Sequence, residues 1–379
     1  MNLKKRLIIA TDCFLPRWDG IARFLEDILP SLEKEFDITL IAPDFEGFYE
    51  EKEHIKIIRI PLIKSVKVGD FSIAKIANSQ IEQHIKDCDL LWTQTTGTIA
   101  SSAVNLAKKH KKKYLAYVHS IDWLLVKRAL GKRHILKHLA GNYAKKHVIK
   151  MLSGANLVMV PSLEVQEILR WHGIQTRISV IPLGIDTTRF VPAISKREAK
   201  KTIGIDMTSP VVGYVGRIGR EKDLLTLFEA YKRLKQDFAN LTLLIVGDGV
   251  TEIKKELASD DTVHMIGSQN NVVPYLQAMD MHVLPSLLET TSLVTLEAMS
   301  CEVPIISTPV GLVKEYISEK QNGLLFPQKN ELVLSLKMKW ILEHPTRAKE
   351  MAKNGRDTVI LDHEWSQTVD KIVSTLLKF

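Results

Sequence analysis

Short apolar runs alternate along the whole chain with longer stretches of helical periodicity. Most of these runs are continuously apolar, which is typical of parallel strands buried on both faces. They occupy residues 7–11, 38–43, 55–60, 90–94, 114–119, 157–161, 178–182, 211–216, 241–247, 263–267, 282–285, 303–307 and 323–326. Helical stretches, such as residues 21–35, 224–236 and 293–299, lie between them. This βαβα rhythm predicts an α/β protein with doubly wound parallel sheets.

The rhythm runs twice, and a stretch rich in turn residues separates the two passes near residues 187–208. A chain of 379 residues is also longer than one hydrophobic core usually serves. We therefore predict two Rossmann-like domains, at residues 1–190 and 191–355, facing each other across a cleft. Ligands of such sheets bind at the carboxyl ends of the strands.

Composition narrows the class of protein. The chain is 45% hydrophobic and 25% charged, as expected for a soluble globular protein. The first apolar run reaches Asp12 too soon for a signal peptide, and no run approaches the roughly 20 residues that span a bilayer. The three cysteines are scattered and have no metal-binding spacing, so we expect a reduced, cytoplasmic compartment.

The positive charge is concentrated in one segment. Residues 105–150 hold 13 lysines and arginines and a single acid, Asp122. The net charge of the whole chain is +8, so the remainder is net negative. The excess therefore indicates a local basic surface rather than a basic protein. No recognised nucleic-acid-binding module surrounds this charge, so we do not expect nucleic acid as a partner.

Two interpretations of this basic segment stay open. On a helical wheel its apolar side chains fall roughly together, with several basic ones opposite. The apolar group is Leu125, Ala129, Leu136, Leu139 and Tyr143; the basic group is Lys127, His134, Lys137, His138 and Lys145. Either the helix rests on an anionic membrane surface, which would make the protein peripheral on the inner face of the membrane, or it packs on the core with a solvated lysine face.

Two glutamates, Glu289 and Glu297, stand on either side of a predicted helix start. The hydroxyl residues between them favour an N-cap, and helical rise separates the two carboxylates by about 8–10 Å along the axis. The polarised N–H groups of a helix start bind anions. A ligand with hydroxyls at both ends and a diphosphate in the middle suits this arrangement, and a nucleotide sugar is such a ligand.

A second group of residues supports a phosphate site. Gly216, Gly247 and Gly267 each stand at the end of a predicted strand, where a small residue lets the backbone approach phosphate. Arg217 can bind two phosphate oxygens with its guanidinium fork, and Lys222 adds a second positive charge. The sequence contains neither a dinucleotide-binding glycine fingerprint nor a Walker lysine loop.

These motifs, in order, resemble glycosyltransferase family 4, the retaining enzymes of GT-B fold. In the second half the resemblance rests on VGRIGREKD, LLIVGDG, HMIGSQNNVVPYLQAMDMHVLPS, ETTSLVTLEAM and VPIISTPVG. In the first half it rests on LPRWDGIARFLEDI, VHSIDW and VIPLGIDTTRF. The closing HEWSQTVDKIV is similar to the family's final helix. The resemblance therefore implies that residues 356–379 cross back to the N-terminal, acceptor-binding domain.

The resemblance implies roles for the donor site. Arg217 and Lys222 would bind the donor diphosphate and offset charge on the leaving group. Glu289 would bind hydroxyls of the sugar, and Glu297 would bind the ribose. The backbone at Thr291, Ser292 and Leu293 would contact sugar and phosphate.

The resemblance also implies roles in the first domain, where Gly20 would lie near the phosphates and His119 beside the reacting sugar. The expected catalytic residues are then His119, Arg217, Lys222 and Glu289. Glu302 stands where the family has a glycine at the helix end, so we expect local strain there.

The resemblance implies front-face substitution with retained anomeric configuration and without an obligatory metal or other cofactor. The donor would be a UDP- or GDP-linked hexose, and the acceptor a membrane lipid or lipid-linked glycan. Three alternatives stay open: a sugar-nucleotide epimerase, a phosphorylase, and a sugar-nucleotide-binding protein without turnover.

Overall fold

A computed structural model of the chain describes residues 4–17, 19–50, 54–68, 71–129 and 134–379. For residues 64–68, 71, 127–129 and 134–137 it describes the backbone alone. The chain divides into two compact units. The first consists of the residues up to Pro182 together with Val369–Phe379, and the second is Leu183–Thr368.

The first unit alternates strands and helices along most of its length. Its elements are β1 (Lys5–Ala10), α1 (Gly20–Glu35), β2 (Phe36–Pro43), β3 (Ile55–Ile60), β4 (Leu62–Val68), β5 (Phe71–Ala74), α2 (Asn78–Asp87), β6 (Leu90–Thr93), α3 (Thr98–Lys109), β7 (Tyr114–Tyr117), α4 (Asp122–Ala129), α5 (His134–Leu152), β8 (Leu157–Val160), α6 (Leu163–Trp171) and β9 (Ile178–Val180).

Parallel strands form the sheet of the first unit, in the order β3-β2-β1-β6-β7-β8-β9. Strands β4 and β5 pair separately and antiparallel. Helices α2 and α3 pack on one hydrophobic cluster, and α4, α5 and α6 pack on another. Helix α1 begins at a side-chain cap, because Asp19 accepts from the N–H groups of Ile21 and Ala22.

The second unit follows the same alternation. Its elements are α7 (Lys196–Thr202), β10 (Val211–Val215), a 3-10 turn (Arg220–Lys222), α8 (Leu224–Lys235), β11 (Thr242–Val246), α9 (Thr251–Leu257), β12 (Val263–Gly267), α10 (Val273–Ala278), β13 (Met281–Leu284), α11 (Leu293–Ser300), β14 (Ile305–Ser307), α12 (Val313–Tyr316), β15 (Leu324–Leu325), α13 (Glu331–Glu343) and α14 (Pro345–Asp362). Helix α15 (Trp365–Leu377) begins in this unit and ends in the first.

The second sheet is also parallel, in the order β12-β11-β10-β13-β14-β15. Alternate residues of β10 enter different clusters: Tyr214 packs with α8 and α13, whereas Val215 packs with α11 and α12. Both faces of the sheet are therefore buried. This explains why its strands appear in the sequence as continuous apolar runs.

The predicted doubly wound α/β fold is confirmed. Every apolar run identified as a strand lies in one of the two parallel sheets. The separate β4–β5 pair was not predicted. Glu302 has a φ of 52°, the left-handed conformation in which a glycine would be less strained, as expected for the position after α11.

Candidate functional site

Three glycines of the second unit meet at the carboxyl ends of adjacent strands. The N–H of Gly216 donates to the carbonyl of Val246 at 2.9 Å, and the N–H of Gly247 donates to that of Gly267 at 2.8 Å. Gly216 and Gly247 have φ values of 142° and 140°. A side chain at Gly247 would collide with the carbonyl of Gly216. The absence of side chains here thus lets the backbone at the three strand ends approach closely.

The loop after β10 positions Arg217. The hydroxyl of Tyr214 donates to the Arg217 carbonyl at 2.8 Å, and the guanidinium of Arg217 forms an ion pair with Glu221. Burial raises the pKa of Tyr214, so its hydroxyl stays protonated and remains a donor. Arg217 is therefore held through its backbone and through its side chain.

A second ion pair joins the loops that follow β10 and β13. The Lys222 Nζ lies 2.5 Å from Oε1 of Glu289, and both side chains are largely buried, with 18% and 11% exposed. The Ser286 hydroxyl also donates to Glu289, at 2.6 Å. The N–H of Leu287 donates to the Glu221 carbonyl at 2.7 Å. The structure thus brings the predicted Lys222 and Glu289 into direct contact.

The start of α11 lies between the two predicted glutamates. Ser292 is the N-cap residue and has a left-handed conformation, and its own side chain makes no capping hydrogen bond. Ser292 is one of the hydroxyl residues predicted at the N-cap position, but its hydroxyl pairs with that of Thr295 at 2.8 Å and makes no capping hydrogen bond. Glu297 lies within the helix and is 1% exposed. The site therefore combines a polarised helix start with a carboxylate on each side.

The segment after β14 supports the residues that lead into α11. The N–H of Leu312 donates to the Thr290 carbonyl at 2.7 Å, and the Tyr316 hydroxyl donates to the Thr291 carbonyl at 3.1 Å. Gly311 has a φ of 51°, and a side chain there would collide with the Glu289 carbonyl. Leu293, the first helical residue, packs at the edge of the α11–α12 core cluster.

The first unit contains two of the predicted residues, Gly20 and His119. Gly20 is the first residue of α1. His119 follows β7, and its Nε2 lies 2.8 Å from Oε1 of Gln94. The His119 ring packs against Phe24 and Tyr117. Burial lowers the pKa of His119 to about 3, so the ring is neutral near pH 7.

A cavity of about 610 Å³ lies beyond the end of β12, within the range of small-ligand sites. Its polar lining follows directly after Gly267 and includes Ser268, Gln269, Asn270, Asn271 and Tyr275. Among the described residues, no group of three His, Cys, Asp or Glu side chains is placed to hold a metal ion.

Helix α5 carries an exposed stripe, which we call the α5 stripe: Leu139, Tyr143, Lys146 and Lys150. These positions recur every three or four residues and so share one face. Leu139 is 64% and Tyr143 is 76% exposed, so the core-facing interpretation is wrong for both. Predicted wheel positions Lys127, Ala129, His134, Leu136 and Lys137 have side chains outside the described residues. No helix in the described part of the chain is long and apolar enough to cross a bilayer.

Sequence reasoning missed three residues that shape the site. Glu221 pairs with Arg217, Ser286 bonds Glu289, and Gly311 makes room for the backbone before α11. All three lie within motifs of the family resemblance, but only the Glu221 contact is suggested by spacing, because Glu221 follows Arg217 by four residues. The other two contacts join loops whose approach depends on the folded sheet.

Comparison with known proteins agrees with these observations. The family described as "Glycosyltransferase Family 4" matches residues 18–189, and the family described as "Glycosyl transferases group 1" matches residues 195–358. The alpha-monoglucosyldiacylglycerol synthase of Streptococcus pneumoniae is 24% identical over 348 residues, 86% of this chain and 76% of the relative.

Two further proteins match almost the full length. The GDP-mannose-dependent monoacylated alpha-(1-6)-phosphatidylinositol monomannoside mannosyltransferase of Corynebacterium glutamicum is 24% identical, covering 99% of both chains. The structure of Anabaena HepE in complex with UDP-glucose superposes with a TM-score of 0.78 at 17% identity, covering 98% of this chain and 100% of HepE. The two family matches and these relatives, together with the two parallel sheets, lead to one conclusion: the chain belongs to glycosyltransferase family 4 and is a glycosyltransferase of GT-B fold.

Proposed function

We propose that this glycosyltransferase moves a hexose from a UDP- or GDP-linked donor to a lipid or lipid-linked glycan, with retention of anomeric configuration. One observation carries the proposal. The Lys222–Glu289 ion pair lies at the carboxyl edge of the second sheet, and Glu289 stands on the loop that leads into the start of α11. Positive charge, hydroxyl-binding carboxylate and helix dipole thus occur in one site.

The basic groups of this site suit a diphosphate. Arg217 offers a planar fork of N–H donors, and Lys222 offers a compact ammonium group. The start of α11 adds backbone N–H groups with partial positive charge. These groups offset the charge that develops on the departing nucleoside diphosphate, which lowers the barrier to transfer.

The two glutamates suit the sugars on either side of the diphosphate. Glu289 is oriented by Lys222 and Ser286, so it accepts hydrogen bonds from hexose hydroxyls in a fixed geometry. Glu297 is buried one to two turns along α11 and binds the ribose. A Glu289 held in two such contacts acts in binding rather than as the attacking nucleophile. This supports front-face substitution, in which the departing phosphate takes the proton of the acceptor hydroxyl.

The relatives support both kinds of donor. HepE was solved with UDP-glucose, and the name of the corynebacterial relative specifies GDP-mannose. The name of the pneumococcal relative specifies a glycolipid product, and the name of the corynebacterial relative specifies a mannosylated phosphatidylinositol as acceptor. We therefore propose a lipid acceptor here as well, bound by the first unit.

The α5 stripe supports binding of this enzyme to a membrane surface. It presents a leucine and a tyrosine to solvent, followed by Lys146 and Lys150 on the same face. Apolar insertion and attraction of lysines to anionic headgroups, about 1 kcal/mol for each basic residue, act together at such a surface. A peripheral position on the inner face of the membrane would bring the enzyme to its acceptor.

A donor screen tests this function. The purified protein is incubated with a panel of UDP- and GDP-hexoses, with and without extracted lipid, and the products are identified by mass spectrometry. We expect nucleoside diphosphate and a glycosylated lipid to appear together, and only when lipid is present. Release without an acceptor, a changed sugar on an intact nucleotide, or sugar phosphate as product would each contradict the proposal.

The same assay tests independence from metal. Chelation with EDTA should leave the initial rate largely unchanged, because Arg217, Lys222 and the helix start supply the positive charge. Complete loss of activity that Mn²⁺ restores would overturn this part of the proposal.

A further inference from the structure

In the structure, each cationic side chain of the proposed diphosphate site forms an ion pair with a different carboxylate. Arg217 pairs with Glu221, and Lys222 pairs with Glu289. The four side chains carry no net charge together. An incoming diphosphate therefore competes with internal carboxylates for the same two cations.

The Glu221 carboxylate is held in this competing position. Its side chain is only 12% exposed, and its backbone carbonyl accepts from the N–H of Leu287 at 2.7 Å. The carboxylate lies over Gly219, where any side chain would collide with both of its oxygens. The backbone contact with Leu287 and the lack of a side chain at Gly219 thus allow the Glu221 carboxylate to contact Arg217.

Glu289 has a ligand of its own in the proposed function, namely the hexose, whereas Glu221 has none. We propose that Glu221 is a positioning residue that competes with phosphate for Arg217 and so keeps the nucleoside diphosphate product from binding too tightly. This inference rests on the proposed function. The free product carries one more negative charge than the donor, because the bond to the sugar has been broken. Competition by Glu221 therefore weakens binding of product more than binding of donor.

The variant Glu221→Gln tests this role. The amide keeps the size of the side chain and an oxygen that accepts from Arg217, but it removes the charge. We expect the Kd of UDP or GDP, whichever binds the wild type, to fall about tenfold by calorimetry, equivalent to about 1.4 kcal/mol. The KM for the donor should fall less, and kcat should fall because release of product becomes slower.

Four measurements isolate the effect of the Glu221 charge. Binding of inorganic pyrophosphate should tighten alongside the nucleotide, whereas binding of the nucleoside alone should not change. Glu221→Asp, which keeps the charge and also serves if the amide variant does not fold, should bind the nucleoside diphosphate about as the wild type does. Glu229→Gln breaks an exposed ion pair with Lys232 and should leave every constant unchanged.

The outcomes separate the two claims. If the wild type turns over donor but Glu221→Gln binds the nucleoside diphosphate no more tightly, the role of Glu221 is wrong and the proposed function stands. Weaker binding by the variant leads to the same conclusion. If the wild type binds neither UDP nor GDP, the donor site itself is wrong, and the inference about Glu221 is wrong with it.

Discussion

Arg217 is held by the hydroxyl of Tyr214 through its carbonyl and by Glu221 through its guanidinium. Under the proposed function, replacing Arg217 by alanine removes a charged hydrogen-bonding partner of the diphosphate, which contributes about 1.5–3 kcal/mol. Arg217→Ala should therefore lower kcat/KM for the donor roughly 10- to 150-fold. Arg220→Ala, at an exposed arginine of the same turn, is the matched control. If Arg217→Ala keeps the turnover of the wild type, the assignment of Arg217 to the diphosphate is wrong.

Gly311 makes room for the backbone that carries Glu289. An alanine there would meet the carbonyls of Glu289 and Thr290, so the loop must shift. Gly311→Ala should cost about 1–3 kcal/mol of unfolding free energy in urea and raise the KM for the donor. Gly204→Ala is the control, because Gly204 also has a positive φ but no atom lies within 4 Å of the added carbon. Equal stability losses in the two variants would show that the contact with Glu289 is unimportant.

His282 lies in β13 and stacks on Tyr214, with ring centroids 6.5 Å apart. Among the described residues, neither of its ring nitrogens has a hydrogen-bond partner, and burial lowers its pKa to about 3. An unfolded histidine has a pKa near 6.5. The unfolded chain therefore binds a proton that the fold excludes, and stability falls as the pH decreases from about 6.5 towards 3.

His282→Phe should remove this dependence. Between pH 7.5 and pH 5 the variant should lose about 2 kcal/mol less unfolding free energy than the wild type, measured in urea at both values. His264→Gln, at an exposed histidine of β12, should behave as the wild type does. An unchanged pH dependence in His282→Phe would mean that His282 is not neutral in the fold.

At the scale of elements, the sequence predicted the strands of both parallel sheets because each is a continuous apolar run between turn residues. It did not predict β4 and β5, whose segment mixes lysines with apolar residues and joins neither sheet. Helix α11 and its N-cap residue Ser292 were placed correctly, but the capping hydrogen bond from the Ser292 side chain does not form. Whether a hydroxyl caps a helix depends on the backbone angles before it, and the left-handed Ser292 directs its side chain elsewhere.

The candidate site was predictable in its residue types but not in its pairings. Lys222 and Glu289 were both identified, yet their contact spans 67 positions and depends on β10 and β13 being neighbours in the sheet. The Glu221–Arg217 pair was missed although the spacing is short, because the turn between the two residues has no regular pattern.

Helix α1 depends on the cap that Asp19 provides. Its Oδ1 accepts from Ile21 N at 3.0 Å and from Ala22 N at 2.9 Å. Asp19→Ala should lower the unfolding free energy by about 0.5–2 kcal/mol, because two N–H groups at the start of the helix lose their partner. Asp37→Ala, at an exposed aspartate of β2, is the control in a urea titration. A midpoint that does not move in Asp19→Ala would mean that the cap contributes nothing.

At the scale of the whole molecule, the chain combines a net charge of +8 with a strongly basic segment at residues 105–150. The α5 stripe belongs to this segment, and Nζ of Lys108 at the end of α3 lies 3.5 Å from the carbonyl of Lys150. The nearby Lys150 charge and, above all, burial lower the pKa of Lys108. Positive charges thus gather at the ends of two helices.

Liposome flotation tests the membrane proposal. Recovery should require anionic lipid and fall as salt rises, because salt screens exposed charges. Lys146→Glu with Lys150→Glu should reduce recovery, whereas Lys349→Glu with Lys353→Glu on α14 changes the net charge equally and should not. The double variant Leu139→Ser, Tyr143→Ser should also reduce recovery with liposomes, because it removes the exposed apolar side chains of the stripe. Equal recovery with neutral lipid, or no recovery at all, would remove the membrane claim.

Two contacts join the turn after β10 to the loop after β13. One is the hydrogen bond from the Leu287 N–H to the Glu221 carbonyl, and the other is the ion pair between Lys222 and Glu289. If only one of these loops is exchanged for that of a relative with a different sugar preference, its contacts with the other loop are lost. Attempts to redesign the donor choice of this enzyme should exchange the two loops as a matched pair, with residues 216–223 and 285–292 taken from the same parent.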